Sequence, residues 1–177
     1  MFENIKKKIS IYLFRKNFLK NRTSEILSFN KFVSKSQNFL LVASERHEDI
    51  DDLKLVINYL EHAGKGITLL LNEALLNFLP ERFKKTAITY NTLEKTRFWL
   101  PSKELVSKLA VKNFDVTIDL TKDDNIFNAA LANSVNSRYR IGFLKENSDM
   151  YYNFQVNKSG VQIPDLPKKL LDSLAMF

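Results

Sequence analysis

The 177-residue chain has no cysteine and only four glycines, four prolines and two histidines. Without cysteine there is no disulfide framework, no thiolate metal site and no thiol nucleophile. His47 and His62 are too few for a histidine metal cluster, so neither a metal nor a cofactor is expected. The glycines stand at 64, 66, 142 and 160, and no phosphate-cradling loop can be assembled from them. Gly64-Lys65-Gly66 follows an expected helix and precedes an expected strand. A phosphate loop needs the opposite order, so that a helix N-terminus faces the anion, and this triplet is read as a turn. Long apolar runs are also lacking. Ile9 to Phe14 is broken by Ser10 and ends at Arg15-Lys16, short of the ~7–15 apolar residues and the cleavage site of a signal peptide. No stretch of ~20 apolar residues is present to cross a bilayer as a helix. Residence in the cytoplasm, peripheral to the inner membrane, is the expectation.

What is present is an uneven charge. The formal net charge is +7, and all of it lies in residues 1–36. There Lys6, Lys7, Lys8, Arg15, Lys16, Lys20, Arg22, Lys31 and Lys35 face only Glu3 and Glu25, while residues 37–177 hold 18 basic and 18 acidic residues. The basic character therefore belongs to an N-terminal arm on a neutral domain. Residues 2–20 read as a helix with two apolar stripes. Phe2, Ile5, Ile9 and Leu13 share one face with Tyr12 at its edge, and Ile11, Phe14 and Phe18 lie nearly opposite. One stripe suits docking on the chain's own domain and the other a partner; alternatively, both pack internally.

With hydrophobic residues at 45% and charged residues at 27%, the composition is that of a folded domain rather than a disordered chain. Phe39–Ala43 is a short apolar run suited to a buried strand. Leu53, Val56, Ile57 and Leu60 have the spacing of an amphipathic helix that ends at Gly64. Ile67–Leu71, Ala87–Tyr90, Phe114–Leu120, Arg140–Phe143 and Tyr151–Val156 read as further strands. Helices are expected over Lys103–Val111 with Ser102 as N-cap, over Asn125–Ser134 with Asp124 as N-cap, and over Leu166–Leu174. Alternating strands and helices point to an α/β fold. The expectation is a single Rossmann-like domain over 37–177, with a mainly parallel sheet flanked by helices and preceded by the basic amphipathic helix of 1–36.

The run FDVTIDLTKDDNIFNAALANSVNSRYRIGF resembles the late part of the N-terminal domain of the heptosyltransferases, glycosyltransferase family nine. Asp115, Asp119, Arg138, Arg140, Ile141, Gly142 and Phe143 occupy the matching positions. The whole chain looks even more like an uncharacterised single-domain bacterial family of about this length, which has no activity to carry over. The heptosyltransferase resemblance implies a sugar-transfer role in which Asp49 is the counterpart of the catalytic base. Here Glu48 replaces the preceding glycine, and Leu53–Leu55 stands where Thr and Pro belong. After Val156 only 21 residues follow, too few for the second, donor-binding domain of ~100 residues. Glycosyl transfer by this chain alone is therefore not expected without a partner chain.

The candidate residues follow from position. His47 and Asp49 lie in the acidic loop Glu45–Asp52 after the first strand, where open α/β sheets bind ligands. Acidic residues also suit a helix N-terminus, so most of these carboxylates are expected to be solvated. Asp119, at the end of its strand, is a candidate to face the same crevice. The Arg138-Tyr139-Arg140 triplet is a candidate anion receptor or a simple strand border. For the arm, Lys6, Lys7, Lys8, Arg15, Lys16, Lys20 and Arg22 are the candidates for contact with an anionic surface. The same charges could release counterions from nucleic acid, but the Phe-rich stripes and the absence of an RNA-binding motif favour a membrane. A homodimer or protein partner covering the open face of a half-cleft is the remaining partner reading. The first expectation is thus a non-catalytic binding module at an anionic membrane surface, and the alternative is a lone acceptor-type half of a heptosyltransferase-like enzyme.

Overall fold

The apolar run from Phe39 becomes a strand covered on both sides. Phe39 and Leu41 point into one hydrophobic layer, and Leu40 and Val42 into another. The structure, a computed structural model, describes residues 2–19 and 27–177. Six strands form one sheet: β1 (Asn38–Val42), β2 (Gly66–Asn72), β3 (Ile88–Tyr90), β4 (Asn113–Asp119), β5 (Asn136–Phe143) and β6 (Phe154–Val156). Their spatial order is β3-β2-β1-β4-β5-β6, and every pairing is parallel. This is the doubly wound Rossmann-like arrangement, in which the chain works outward from β1 in one direction and from β4 in the other.

The helices are α1 (Phe2–Phe18), α2 (Phe32–Lys35), α3 (Ile50–His62), α4 (Glu81–Lys84), α5 (Lys103–Ala110), α6 (Ile126–Ser134), α7 (Ser148–Tyr151) and α8 (Leu166–Ala175). One face of the sheet is covered by Leu53, Val56, Ile57 and Leu60 of α3 together with Leu166, Leu170 and Leu174 of α8. The other is covered by Leu105 and Leu109 of α5 and by Phe127 and Leu131 of α6. Covering both faces is what lets the central strands read as continuous apolar runs. The chain leaves α3 through Gly64 at φ +69°, a left-handed conformation suited to glycine after a helix end. Lys65 then donates to the carbonyls of Ser34 and Ser36 at 3.0 and 2.8 Å, so the Gly-Lys-Gly triplet is a turn whose lysine caps α2.

Several elements differ from the sequence reading. The helix at 126 is capped by Asn125, whose side chain accepts from the amides of Phe127 and Asn128, while Asp124 instead pairs with Lys7 at 3.2 Å. The strand expected from Tyr151 begins at Phe154, and Tyr151 closes α7. Asp115 and Asp119 share a strand but serve opposite edges of the sheet. At the N-terminal edge, Asp115 accepts from the amides of Gln37 and Asn38 at 2.8 and 2.9 Å. Asp119 is enclosed at the C-terminal edge.

Residues of the 1–36 stretch are packed on the domain. Phe32 and Val33 belong to the main core. Phe14 of α1 is fully buried, 4.8 Å from the Tyr151 ring, over Ala129 and Ala130 of α6. The small alanine side chains allow α1 to approach α6, and burial of a whole phenylalanine contributes about 1.5–3 kcal/mol. No helix among the described residues is long and apolar enough to cross a membrane.

Candidate functional site

β1 and β4 are neighbours, and the loops that leave their C-terminal ends diverge to opposite faces of the sheet. The crevice between them is where folds of this order receive ligands. Here it is a cleft of about 370 Å³ lined by Ser44, Glu45 and Arg46 after β1, by Thr121, Asp123, Asp124, Asn125 and Ile126 after β4, and by Lys95 and Trp99. Trp99 has φ +55°, an uncommon conformation for a bulky residue.

The charged groups around the cleft are joined into networks. Arg46 holds Asp49 with two bonds, Nε to Oδ2 at 2.8 Å and Nη2 to Oδ1 at 3.1 Å, and reaches Asp123 at 3.0 Å. The Lys122 ammonium, itself buried, sits 3.0 Å from Asp49 Oδ1 and also pairs with Asp52. Lys95 binds Glu45 at 2.9 Å. Asp49 is therefore enclosed and locked between two cations, although carboxylates of this loop were expected to be largely solvated; only its neighbours Glu48 and Asp51 are. Burial pushes the Asp49 carboxyl up, but hydrogen bonds from Arg46, Ser44 and Lys122 outweigh it and bring it below the ordinary value. A carboxylate held as the anion in this way is a poor proton acceptor.

A pH dependence follows. The stability that Asp49 contributes is fully present above the ordinary aspartate value of about 3.9 and is lost as the pH falls through Asp49's own, lower value. Urea unfolding of the wild type should show a declining midpoint over that acid range. The Asp49→Asn variant should be less stable at neutral pH, with a flatter acid limb. Equal acid slopes in the two proteins would refute the assignment.

The other candidates are dispersed. His47 lies in a short 3-10 turn, edge-on to Phe78 with ring centres 4.1 Å apart, outside the cleft lining. Arg140 donates to the carbonyls of Ala132 and Val135 at 3.3 and 3.0 Å, where it satisfies the C-terminal end of α6. Arg138 lies at the opposite, N-terminal edge of the sheet, in a shallow recess with Asp115 and Asn136. Asp119 is wholly buried behind the cleft. It accepts from the Tyr152 hydroxyl and from the Thr121 amide at 2.9 Å, with the buried Lys145 ammonium 3.5 Å away. Lys122, Lys145, Tyr152 and Trp99 were not singled out from sequence. Each owes its place to partners far along the chain, which spacing along one element does not reveal.

A second candidate surface lies on α1. Its outward side exposes Ile5, Ile9 and Tyr12, at 51%, 38% and 64% of their full areas. Lys8, Arg15 and Lys16 are exposed beside them, and among the described residues Lys8 and Lys16 make no ion pair. Arg15 contacts the Met150 sulfur at 2.9 Å. Lys6 and Lys7 turn toward the domain instead. Lys6 lies over the Trp99 ring at 4.1 Å, and Lys7 pairs with Asp124 and, at 2.6 Å, with Glu146. Lys20 and Arg22 lie outside the described residues. Comparison of the chain with family models, with curated proteins and with solved structures gives no match.

Proposed function

We propose that this chain is a non-catalytic α/β binding module held at an anionic membrane surface by the outward side of α1. The observation that carries the reading is the exposure of Ile5, Ile9 and Tyr12 between the uncommitted cations Lys8 and Lys16, on a helix whose inner side is fixed by Phe14. The charges suit an anionic lipid surface, at roughly 1 kcal/mol per basic residue, and the apolar side chains add an insertion term. Nucleic acid would use the charges but not the isoleucines. The non-catalytic part of the reading is supported by Asp49, whose two oxygens are both engaged by cations.

Co-sedimentation of the full chain with phosphatidylglycerol vesicles and with phosphatidylcholine vesicles tests this. The protein should pellet with the anionic vesicles, and part of the binding should survive high salt. Replacing Lys8 and Lys16 by Gln should weaken binding roughly thirtyfold, the equivalent of about 2 kcal/mol. Replacing Ile9 by Ser should remove much of the salt-resistant part. Failure to pellet, or equal binding by parent and variants, would overturn the proposal.

A further inference from the structure

The two turns of α1 before Ser10 are attached differently from the turns after it. Ser10 is buried, and its single hydroxyl proton is shared between the Lys6 carbonyl at 2.8 Å and the Phe98 carbonyl at 2.6 Å. Beyond it, Phe14 is fully enclosed. Before it, no side chain from Glu3 to Ile9 is buried, and among the described side chains of this stretch Lys6 and Lys7 tie it to the domain. Each lysine touches one residue of the cleft lining, Trp99 or Asp124, and Lys7 also holds Glu146 outside it. The start of α1 is thus a strap beside the Trp99 and Asp124 part of the cleft rim, fixed at Ser10 and fastened by two lysines.

We infer that an anionic surface unfastens this strap, drawing Lys6 and Lys7 away from Trp99 and Asp124 and freeing that part of the cleft rim. The inference rests on the surface reading above and adds a regulatory consequence to it. Ion pairs in which both side chains keep contact with water contribute little. A lysine gains an attraction of the same order from an anionic leaflet. The exchange is therefore near balance and does not require unpacking of Phe14. Ser10 is suited to be the pivot, since a serine hydroxyl bonded to the carbonyl four residues back loosens and bends a helix.

Trp99 is the only tryptophan in the chain, so its fluorescence reports on the rim directly. Acrylamide quenching would be measured on the full chain alone, with phosphatidylglycerol vesicles and with phosphatidylcholine vesicles, alongside co-sedimentation. Quenching should rise only with the anionic vesicles and return to baseline in high salt. Two variants, each checked for folding by circular dichroism, separate the strap from the anchor. Asp124→Asn with Glu146→Gln should raise quenching without vesicles and tighten vesicle binding, by up to about fivefold for each of the two exposed ion pairs removed. Lys7→Gln should raise quenching equally while weakening vesicle binding. Vesicle binding with unchanged or lowered Trp99 quenching would overturn the strap and leave the surface reading intact. No vesicle binding at all would overturn both.

Discussion

Replacing Asp119 by alanine is expected to lower the stability of the protein by about 3–5 kcal/mol, the cost of leaving one member of a buried ion pair uncompensated. Asp119 and the Lys145 side chain are both almost completely removed from solvent, and the lysine also lies over the Tyr152 ring at 5.3 Å. Truncation would leave Lys145 the Thr121 carbonyl at 2.9 Å and the Tyr152 ring, with no counter-charge. The Tyr152 hydroxyl, held well above its ordinary pKa by burial and by the Asp119 charge, would lose the acceptor to which it donates. Asp119→Asn preserves the shape and an acceptor for Tyr152, so its loss should be smaller, about 1–3 kcal/mol. Urea unfolding measures both. The decisive comparison is a double-mutant cycle: Asp119→Ala should cost markedly less in a Lys145→Met background, where no buried ammonium is left stranded. An Asp119→Ala loss no larger than that of the exposed Asp51→Ala would show that the network does not hold the sheet edge. Vesicle binding should not change, because Asp119 touches no residue of the outward side of α1.

The parts of the fold legible in the sequence are those fixed by local patterns. The apolar runs of β1 and β2, the 3–4 spacing in α3 and the Ser102 cap of α5, which accepts from the Leu105 amide at 3.1 Å, need no information from elsewhere in the chain. The pieces that depart from that reading are set by obscured alternation, by turn geometry or by partners far along the chain. β5 extends back to Asn136 because Ser137 and Tyr139 turn inward between outward polar residues, a period of two that the two arginines obscured. Tyr151 and Tyr152 have strand propensity, yet Asn147 at φ +61° and the Ser148 hydroxyl bond to the Lys145 carbonyl at 2.8 Å turn the chain into α7. On α1 both stripes were visible, but which one docks depended on the alanines of α6. The resemblance to heptosyltransferases rests on positions that include Asp119, Arg140 and Gly142. In the structure Asp119 is enclosed and Arg140 caps a helix, so the positions that looked most specific support the framework around the cleft.

Gly142 belongs to the same framework, and Gly142→Ala is expected to be the second most damaging substitution. A methyl group at this position would lie 2.5, 2.6 and 2.8 Å from three atoms of the Tyr152 ring, closer than carbon atoms approach in folded proteins. A long flexible side chain could move aside. Tyr152 cannot do so cheaply, because its hydroxyl is tied to Asp119 and its ring packs against Tyr151 with centres 5.9 Å apart. Overpacking of a rigid core costs typically 1–3 kcal/mol. The reduced freedom of the unfolded chain returns about 0.4–1 kcal/mol to an alanine where the backbone admits it, so the steric term wins. A loss of about 2 kcal/mol corresponds to a melting temperature lower by roughly 4–8 °C for a domain of this size. Gly64→Ala provides the contrast. That site has open space around it and a left-handed backbone, so its cost is conformational and asparagine should recover part of it. At Gly142 asparagine should do no better than alanine. If Gly142→Ala melts with the wild type, then Tyr152 yields readily, and the Asp119–Tyr152 bond is not the rigid tie that the size of the Asp119→Ala effect assumes.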